Sequence, residues 1–280
     1  MQGSKAMPQI AVLIDNMTMN PHLACQHGLS MGIILDSGEL WIWDTGQTGV
    51  FMDNAMAMGI HPGRAAGLAL SHGHYDHTGG LDSLWEQTDF QGPIYAHPQV
   101  VADRYVCHQG TQARAIGLGT NNYEKLDNQL VAVQDRMELA PGLTMYTNIT
   151  RHPGQFQPIQ DFYLDPETTR PDTIPDDACL VLETPKGPVL VLGCCHSGLA
   201  NTCQHVAQHH GIDHFHGLMG GLHLSGASEK ALEETRTTIR DFAFESVFAG
   251  HCTGTTALNR LQSSLPTIVH PMGSGLFVKW

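Results

Sequence analysis

Ser71-His72-Gly73-His74-Tyr75-Asp76-His77-Thr78-Gly79-Gly80 sets four potential metal ligands within six residues. The stretch follows a continuous apolar run over residues 65–70, as expected of a strand buried on both faces. In extended chain, side chains two apart point the same way, so His72 and His74 can grip one ion together. Gly73 between them lets the backbone turn sharply. Asp76 and His77 stand where the next helix should begin. They can reach a second ion, and two ions about 3.5–4 Å apart can share a hydroxide. A lone histidine on a polar loop is ordinarily a solvated side chain. Three with an aspartate, at H-x-H-x-D-H spacing directly after a buried strand, point to a metal centre.

One segment rarely fills two coordination spheres, and three later segments repeat the pattern of an apolar run opening into Gly and His. Residues 188–192 lead into Gly193-Cys194-Cys195-His196-Ser197-Gly198. Residues 215–219 lead into Gly220-Gly221-Leu222-His223, and residues 246–249 into Gly250-His251-Cys252-Thr253-Gly254. Strand C-termini are where open α/β sheets collect functional groups. His196 and His251 are therefore candidate ligands, and His223 a ligand, a substrate contact or a supporting residue. His205 and His209 are four apart on a predicted helix, a metal-capable spacing. With no catalytic Glu between them they read as a solvated face. His61, His108, His210, His214, His216 and His270 carry no spacing argument.

Further out, short apolar runs alternate with helical periodicity. Strands are expected at residues 10–14, 31–35, 40–43, 65–70, 93–96, 130–133, 143–147, 179–183, 189–192, 215–219 and 247–249. Helices are expected at 50–58, 78–86, 99–105, 199–209 and 228–242. Asp36-Ser37-Gly38 marks a hairpin turn. Residues 107–125 and 151–175 read as irregular insertions, and loops of that length are often functional. No low-complexity linker divides the chain, so residues 1–280 read as a single domain with two sheets face to face and helices outside.

Composition narrows the partners. The 280 residues carry 14 Lys plus Arg against 27 Asp plus Glu, a formal charge of −13, which repels a phosphate backbone on average. Nucleic acid is thus not an expected partner, and a small-molecule substrate is. Oligomeric state is not legible. Seven Cys, with Cys194 and Cys195 adjacent, do not suggest a disulfide framework in a chain of this length. Residues 1–8 hold one Lys and no apolar core of leader length, and no window reaches a membrane span. A cytoplasmic protein with reduced thiols and no membrane partner is expected.

The stretch from His72 to Gly80 resembles the signature of the metallo-β-lactamase superfamily. Asp15-Asn16, Gln26-His27-Gly28-Leu29-Ser30, Asp44-Thr45-Gly46, Ser71–Leu81, Gly193–Gly198, Gly220–Leu224 and His251–Gly254 resemble one branch of it. That is the dihydropteroate-synthase-like branch, which includes dihydropterin ribofuranosylaminobenzene phosphate synthases. The resemblance spans nearly the whole chain and implies a four-layer αββα sandwich with the metal ions at one edge. It implies His72, His74, Asp76, His77, His196 and His251 as ligands. Asp44 would lie beneath the ions and orient a ligand histidine. Many superfamily members have Gly-Asp, with the Asp bridging two metals, where this chain has Gly193-Cys194. Cys194 reads as a small buried residue beside the centre, with thiolate ligation as the alternative. Asp176 and Asp177 are further candidates to approach it.

The expected enzyme is a hydrolase or transferase using one or two divalent ions, Zn foremost with Mn or Fe as alternatives, through a metal-bound hydroxide or metal-polarised oxygen. Asp76 would position the nucleophile and take its proton; His223 or Tyr75 would steady a developing oxyanion. The branch suggests a pterin-like or phosphorylated small molecule. Arg114, Lys125 and Arg151, inside the insertions, are the expected anion contacts, with His223 also facing substrate. The competing readings are a lactonase, thioesterase or phosphodiesterase of the same superfamily, or a non-catalytic iron-binding sensor.

Overall fold

A computed structural model describes residues 7–280. Residues 1–6, the start of the stretch read for a leader, lie outside the described residues. Strand periodicity explains the layering. In the strand Gln9–Ile14, Ile10 and Val12 face one way and Ala11 and Leu13 the other, and all four are buried. Ile10 and Val12 join Met31, Ile33, Trp41 and Trp43 against Met145, Leu180, Val189 and Val191, which forms the layer between two sheets. Ala11 and Leu13 join Ile42 and Leu68 under Phe51, Leu81 and Leu84 of the helices Val50–Ala57 and Leu81–Gln87. On the far side, Val181, Leu190 and Leu218 pack under Val206, Leu232 and Leu261. Those three come from the helices Leu199–His210, Glu229–Asp241 and Thr255–Ser264. The order is helix, sheet, sheet, helix.

Each main sheet has seven strands. The first runs Phe277–Lys279, Gln9–Ile14, Ser30–Ile34, Leu40–Trp43, Gly67–Ala69, Ile94–Ala96, Leu130–Ala132 in space. The second runs Val269–Pro271, Ser246–Gly250, Gly217–Gly221, Val189–Leu192, Cys179–Leu182, Leu143–Tyr146, Arg136–Ala140. Both are antiparallel in one part and parallel in the other. The parallel strands Gly67–Ala69, Val189–Leu192, Gly217–Gly221 and Ser246–Gly250 are those whose ends open into the histidine segments. The C-terminal strand crosses back, with Val278 opposite Ile10, and ties the chain's last residues to its first strand.

Several expectations shift. Residues 99–105 form a 3-10 turn, Pro98–Val101, followed by the strand Tyr105–Val106, not an α-helix. Pro98 at the start and Ala102 in extended geometry stop the turn there. The insertions are not wholly irregular. Phe162–Tyr163 pairs with Tyr105–Val106, which pairs with Arg114–Ala115, so the two insertions meet in one three-stranded sheet. A helix over Tyr123–Gln129, capped by the Asn122 side chain on the Lys125 N–H, begins where the first insertion was expected to end. His205 is buried and not on a solvated face, because its Nδ1 accepts the Thr150 N–H at 3.2 Å. All seven cysteines are unpaired, and no helix among the described residues is long and apolar enough to cross a membrane.

Candidate metal centre

The chain leaves the strand Gly67–Ala69 through Leu70 and turns at Gly73, which packs so tightly that a Cβ there would stand 2.1 Å from the Val100 carbonyl oxygen. His74 is extended backbone and caps the short helix Tyr75–Thr78, which carries Asp76 and His77. His72 Nε2 lies 2.9 Å from His74 Nδ1. The His196 ring lies 4.8 Å from that of His72 and 5.2 Å from that of His74, so the segment after Val189–Leu192 reaches the first motif. His77 Nε2 lies 3.1 Å from His251 Nε2, across 174 residues of sequence. Asp76 Oδ2 is 3.7 Å from His77 Nε2 and 3.5 Å from His251 Nε2. Two donor groups result: His72, His74 and His196 on one side; Asp76, His77 and His251 on the other.

The far nitrogens show which lone pairs face inward. Asp44 Oδ2 receives His77 Nδ1 at 2.7 Å and the Ser71 hydroxyl at 2.7 Å. A carboxylate only accepts, so His77 carries its proton on Nδ1 and Ser71 spends its proton on Asp44. Ser71 Oγ can then only accept from His72 Nδ1 at 2.9 Å, which leaves His72 Nε2 bare. Asn16 Oδ1 accepts the Gly28 N–H at 3.1 Å and so must receive, not donate, at His251 Nδ1, 3.0 Å away. His196 Nδ1 donates to the Pro158 carbonyl at 2.9 Å, and its Nε2 is buried with no partner, as is His74 Nε2. Nitrogens 3.1 Å apart, as in His77 and His251, must share a proton or a cation between them, and a bound ion would displace the proton. Two nitrogens on one tetrahedral zinc, each about 2.0–2.1 Å from it, stand about 3.3 Å apart. These residues therefore fit a divalent ion.

Cys194 lies among the donor atoms, not merely beside them: its Sγ is 3.2 Å from both His77 Nε2 and His251 Nε2. Its sulfur also lies within 4.8 Å of donor atoms of His72 and His77, which places it between the two donor groups. Asp176 and Asp177 do not fill that place. Asp177 accepts the backbone N–H groups of His196 at 3.0 Å and Ser197 at 2.7 Å. Asp176 accepts the Gly73 N–H at 2.8 Å and pairs with buried Arg104 at 2.5 Å. Both carboxylates fix the loops that carry the histidines. Gly193 is required beneath them, since a Cβ there would meet Ser71 Oγ at 2.2 Å.

Burial, followed by the charges of neighbouring histidines, pushes the imidazoles of His72 and His196 well below their usual range. Burial and then Arg104 do the same to His74. Burial also depresses His251, to about 4. At His77 burial is outweighed by the carboxylates of Asp44 and Asp76, and the group rises to about 9. Burial pushes Asp76 up, but His77, His27 and His251 outweigh it and hold the carboxyl well below its usual range.

His223 borders the centre, its ring 4.5 Å from that of His196. Tyr75 and Arg114 form a rim pair, with the guanidinium 5.5 Å over the phenol ring. Arg151 is taken up elsewhere: it donates to the carbonyls of Thr173 and Ile174 and, at 3.2 Å, to Ser197 Oγ. Lys125 covers the Trp85 ring at 5.5 Å. The sequence reading quoted Asn16, His27 and Cys252 within resembling segments but gave them no role, and it passed over Arg104 and Phe162. His27 Nε2 lies 3.2 Å from Asp76 Oδ2. Phe162 walls the site, its ring 5.3 Å from His74 and 5.4 Å from His196. Asn16 and His27 did carry a signal, since they follow the first strand just as the other histidine segments follow theirs.

Residues 29–114 match the family model described as Metallo-beta-lactamase superfamily, and the fold is that of the metallo-β-lactamases. The chain is similar to a 7,8-dihydropterin-6-methyl-4-(beta-D-ribofuranosyl)-aminobenzene-5'-phosphate synthase of Methanocaldococcus jannaschii, with 26% identity covering 91% of this chain and 90% of the relative. Among solved structures it is similar to Tm1679, a metal-dependent hydrolase of the beta-lactamase superfamily, with a TM-score of 0.82, 23% identity, and coverage of 98% of this chain and 99% of that one. It also shares its fold with Zn(2+)-bound PqqB from Methylobacterium extorquens, with a TM-score of 0.59, 13% identity, and coverage of 97% and 100%.

Proposed function

We propose that the chain is a metal-dependent enzyme, a hydrolase or transferase, that acts on a small phosphorylated, pterin-like substrate. The observation that carries the reading is the convergence of imidazole nitrogens from loops far apart in the chain, those of His72, His77, His196 and His251 each oriented by a hydrogen bond on the far side. His72, His74 and His196 would hold one divalent ion, and Asp76, His77 and His251, with Cys194 beside them, a second. Bound there, such ions supply Lewis acidity and an activated water.

The chain's own residues do the rest. Asp76 accepts the proton of the attacking group, and His27 Nε2, 3.2 Å away, donates to the same carboxylate and holds it in place. Phe162 offers a flat apolar wall to a ring system, and the Arg114–Tyr75 pair at the rim attracts an anionic group. The similarity to the dihydropterin ribofuranosylaminobenzene phosphate synthase supports a substrate with both features.

Metal analysis of protein purified without chelator, followed by assays on phosphomonoesters, phosphodiesters, lactones and thioesters, tests the reading. A bound divalent ion is expected, with turnover that chelator abolishes and that His72→Ala and His251→Ala each reduce about 10²-fold or more. Turnover that survives both chelation and these substitutions would overturn it.

A further inference from the structure

Beside the imidazoles lies a second donor group that shares only Cys194 with the centre just described. Cys194, His223 and Cys252 come from the ends of three strands, and one donor atom of each lies within 4.8 Å of the other two. Cys194 is buried and the other two are half-buried. The backbone N–H of His223 donates to Cys252 Sγ at 3.3 Å, so that sulfur already serves as an acceptor. His223 Nδ1 is buried without a hydrogen-bond partner. Gly221 makes the approach possible: a Cβ there would stand 2.5 Å from Cys252 Sγ and 3.5 Å from Cys194 Cα. Any other residue would push the Cys252 thiol out of this position.

Two sulfurs and an imidazole are a soft donor set, suited to zinc or cadmium over manganese or magnesium. Three protein donors of this kind hold a tetrahedral ion and leave one position open. We propose that Cys194, His223 and Cys252 form a thiophilic metal site that abuts the histidine–carboxylate centre and shares Cys194 with it. Binding releases the thiol protons to solvent. The sharing follows from position, since Cys194 Sγ also lies 3.2 Å from His77 Nε2 and His251 Nε2. The site stands on its own geometry, whichever reaction the neighbouring centre performs.

The test titrates reduced, full-length protein with cadmium and reads the near-ultraviolet thiolate-to-cadmium charge-transfer band. Cys252→Ser and His223→Ala are each expected to weaken cadmium binding about 10–100-fold. Manganese, which prefers imidazole and carboxylate, should bind both variants as it binds the parent chain. In the parent chain, which needs no substitution, an equimolar amount of cadmium should slow alkylation of Cys252 about tenfold or more, as expected when a ligand thiolate is engaged. Exposed Cys25 serves as the internal reference. Alkylation of Cys252 at the same rate with and without cadmium, or unchanged cadmium affinity in Cys252→Ser, would overturn the site. Failure of the hydrolytic reading shows differently, as manganese affinity that His72→Ala does not change.

Discussion

Asp44 sets the protonation of the centre from beneath. Its Oδ2 receives both His77 Nδ1 and the Ser71 hydroxyl, and through Ser71 it also determines which nitrogen of His72 carries a proton. Asp44→Asn keeps the shape and reverses the instruction, because an amide nitrogen turned toward His77 Nδ1 moves the imidazole proton to Nε2. The expected outcome is metal affinity lowered about 10–100-fold with little change in fold, measured by competition with a chromogenic chelator. Unchanged affinity would mean that the inward lone pairs do not depend on Asp44. The aspartate was legible from the Asp44-Thr45-Gly46 resemblance. The role of Ser71 was not, since a serine before a histidine carries no spacing signal.

At the scale of elements, the loops around the centre are held by buried carboxylates. Arg104 is 1% exposed and lies between Asp172, at 3.4 Å, and Asp176, at 2.5 Å. Asp176 in turn holds the Gly73 N–H between the two motif histidines. Arg104→Ala strands two buried carboxylates, and breaking such a pair costs about 3–5 kcal/mol. Urea unfolding should show that loss, and metal binding should weaken with it because the His72–His74 turn loses its brace. A midpoint within error of the parent would show that the carboxylates find other partners. The helices Glu229–Asp241 and Leu199–His210 were legible because residues recur on one face every three or four positions. The helix Thr255–Ser264 and the strands Val269–Pro271 and Phe277–Lys279 were not read. The equally short strands Ile94–Ala96 and Leu130–Ala132 are wholly apolar and could be read, whereas these two are interrupted by His270 and Lys279.

Across the whole molecule, buried histidines set the pH response of the metal-free chain. His72, His74 and His196 are pushed well below 6.5, and His205 and His251 to about 4, with burial the leading cause in each. Each is neutral when folded and takes a proton near 6.5 when unfolded, so acidification from about pH 6.5 toward 4 favours the unfolded chain. Asp15, raised by burial from 3.8 to about 7, works the other way, since its contribution is lost as pH rises through that window. Asp176 and Asp177, also raised by burial, act with Asp15, and His97, lowered by burial, acts with the five imidazoles, so the histidines remain the larger set. His77, raised to about 9, adds stability below 6.5 that disappears as pH rises through 9. Chelated protein should therefore be most stable near neutrality, with urea midpoints falling on both sides. A midpoint that rises steadily from pH 7 to 5 would contradict the neutral state of these imidazoles.

Local chemistry alone determined the strand that delivers His72, the paired orientation of His72 and His74, and the αββα layering. Each follows from alternation, turn residues or short spacing, which neighbours in the chain impose on one another. Only the tertiary structure decided that the Cys194 sulfur stands between His77 and His251, that Asn16 and His27 close the far side, and that two insertions pair into a sheet carrying Phe162 and Arg114. Those outcomes depend on which strand ends meet when two sheets pack. That meeting is set by the summed burial of both inner faces, which no short stretch of residues records.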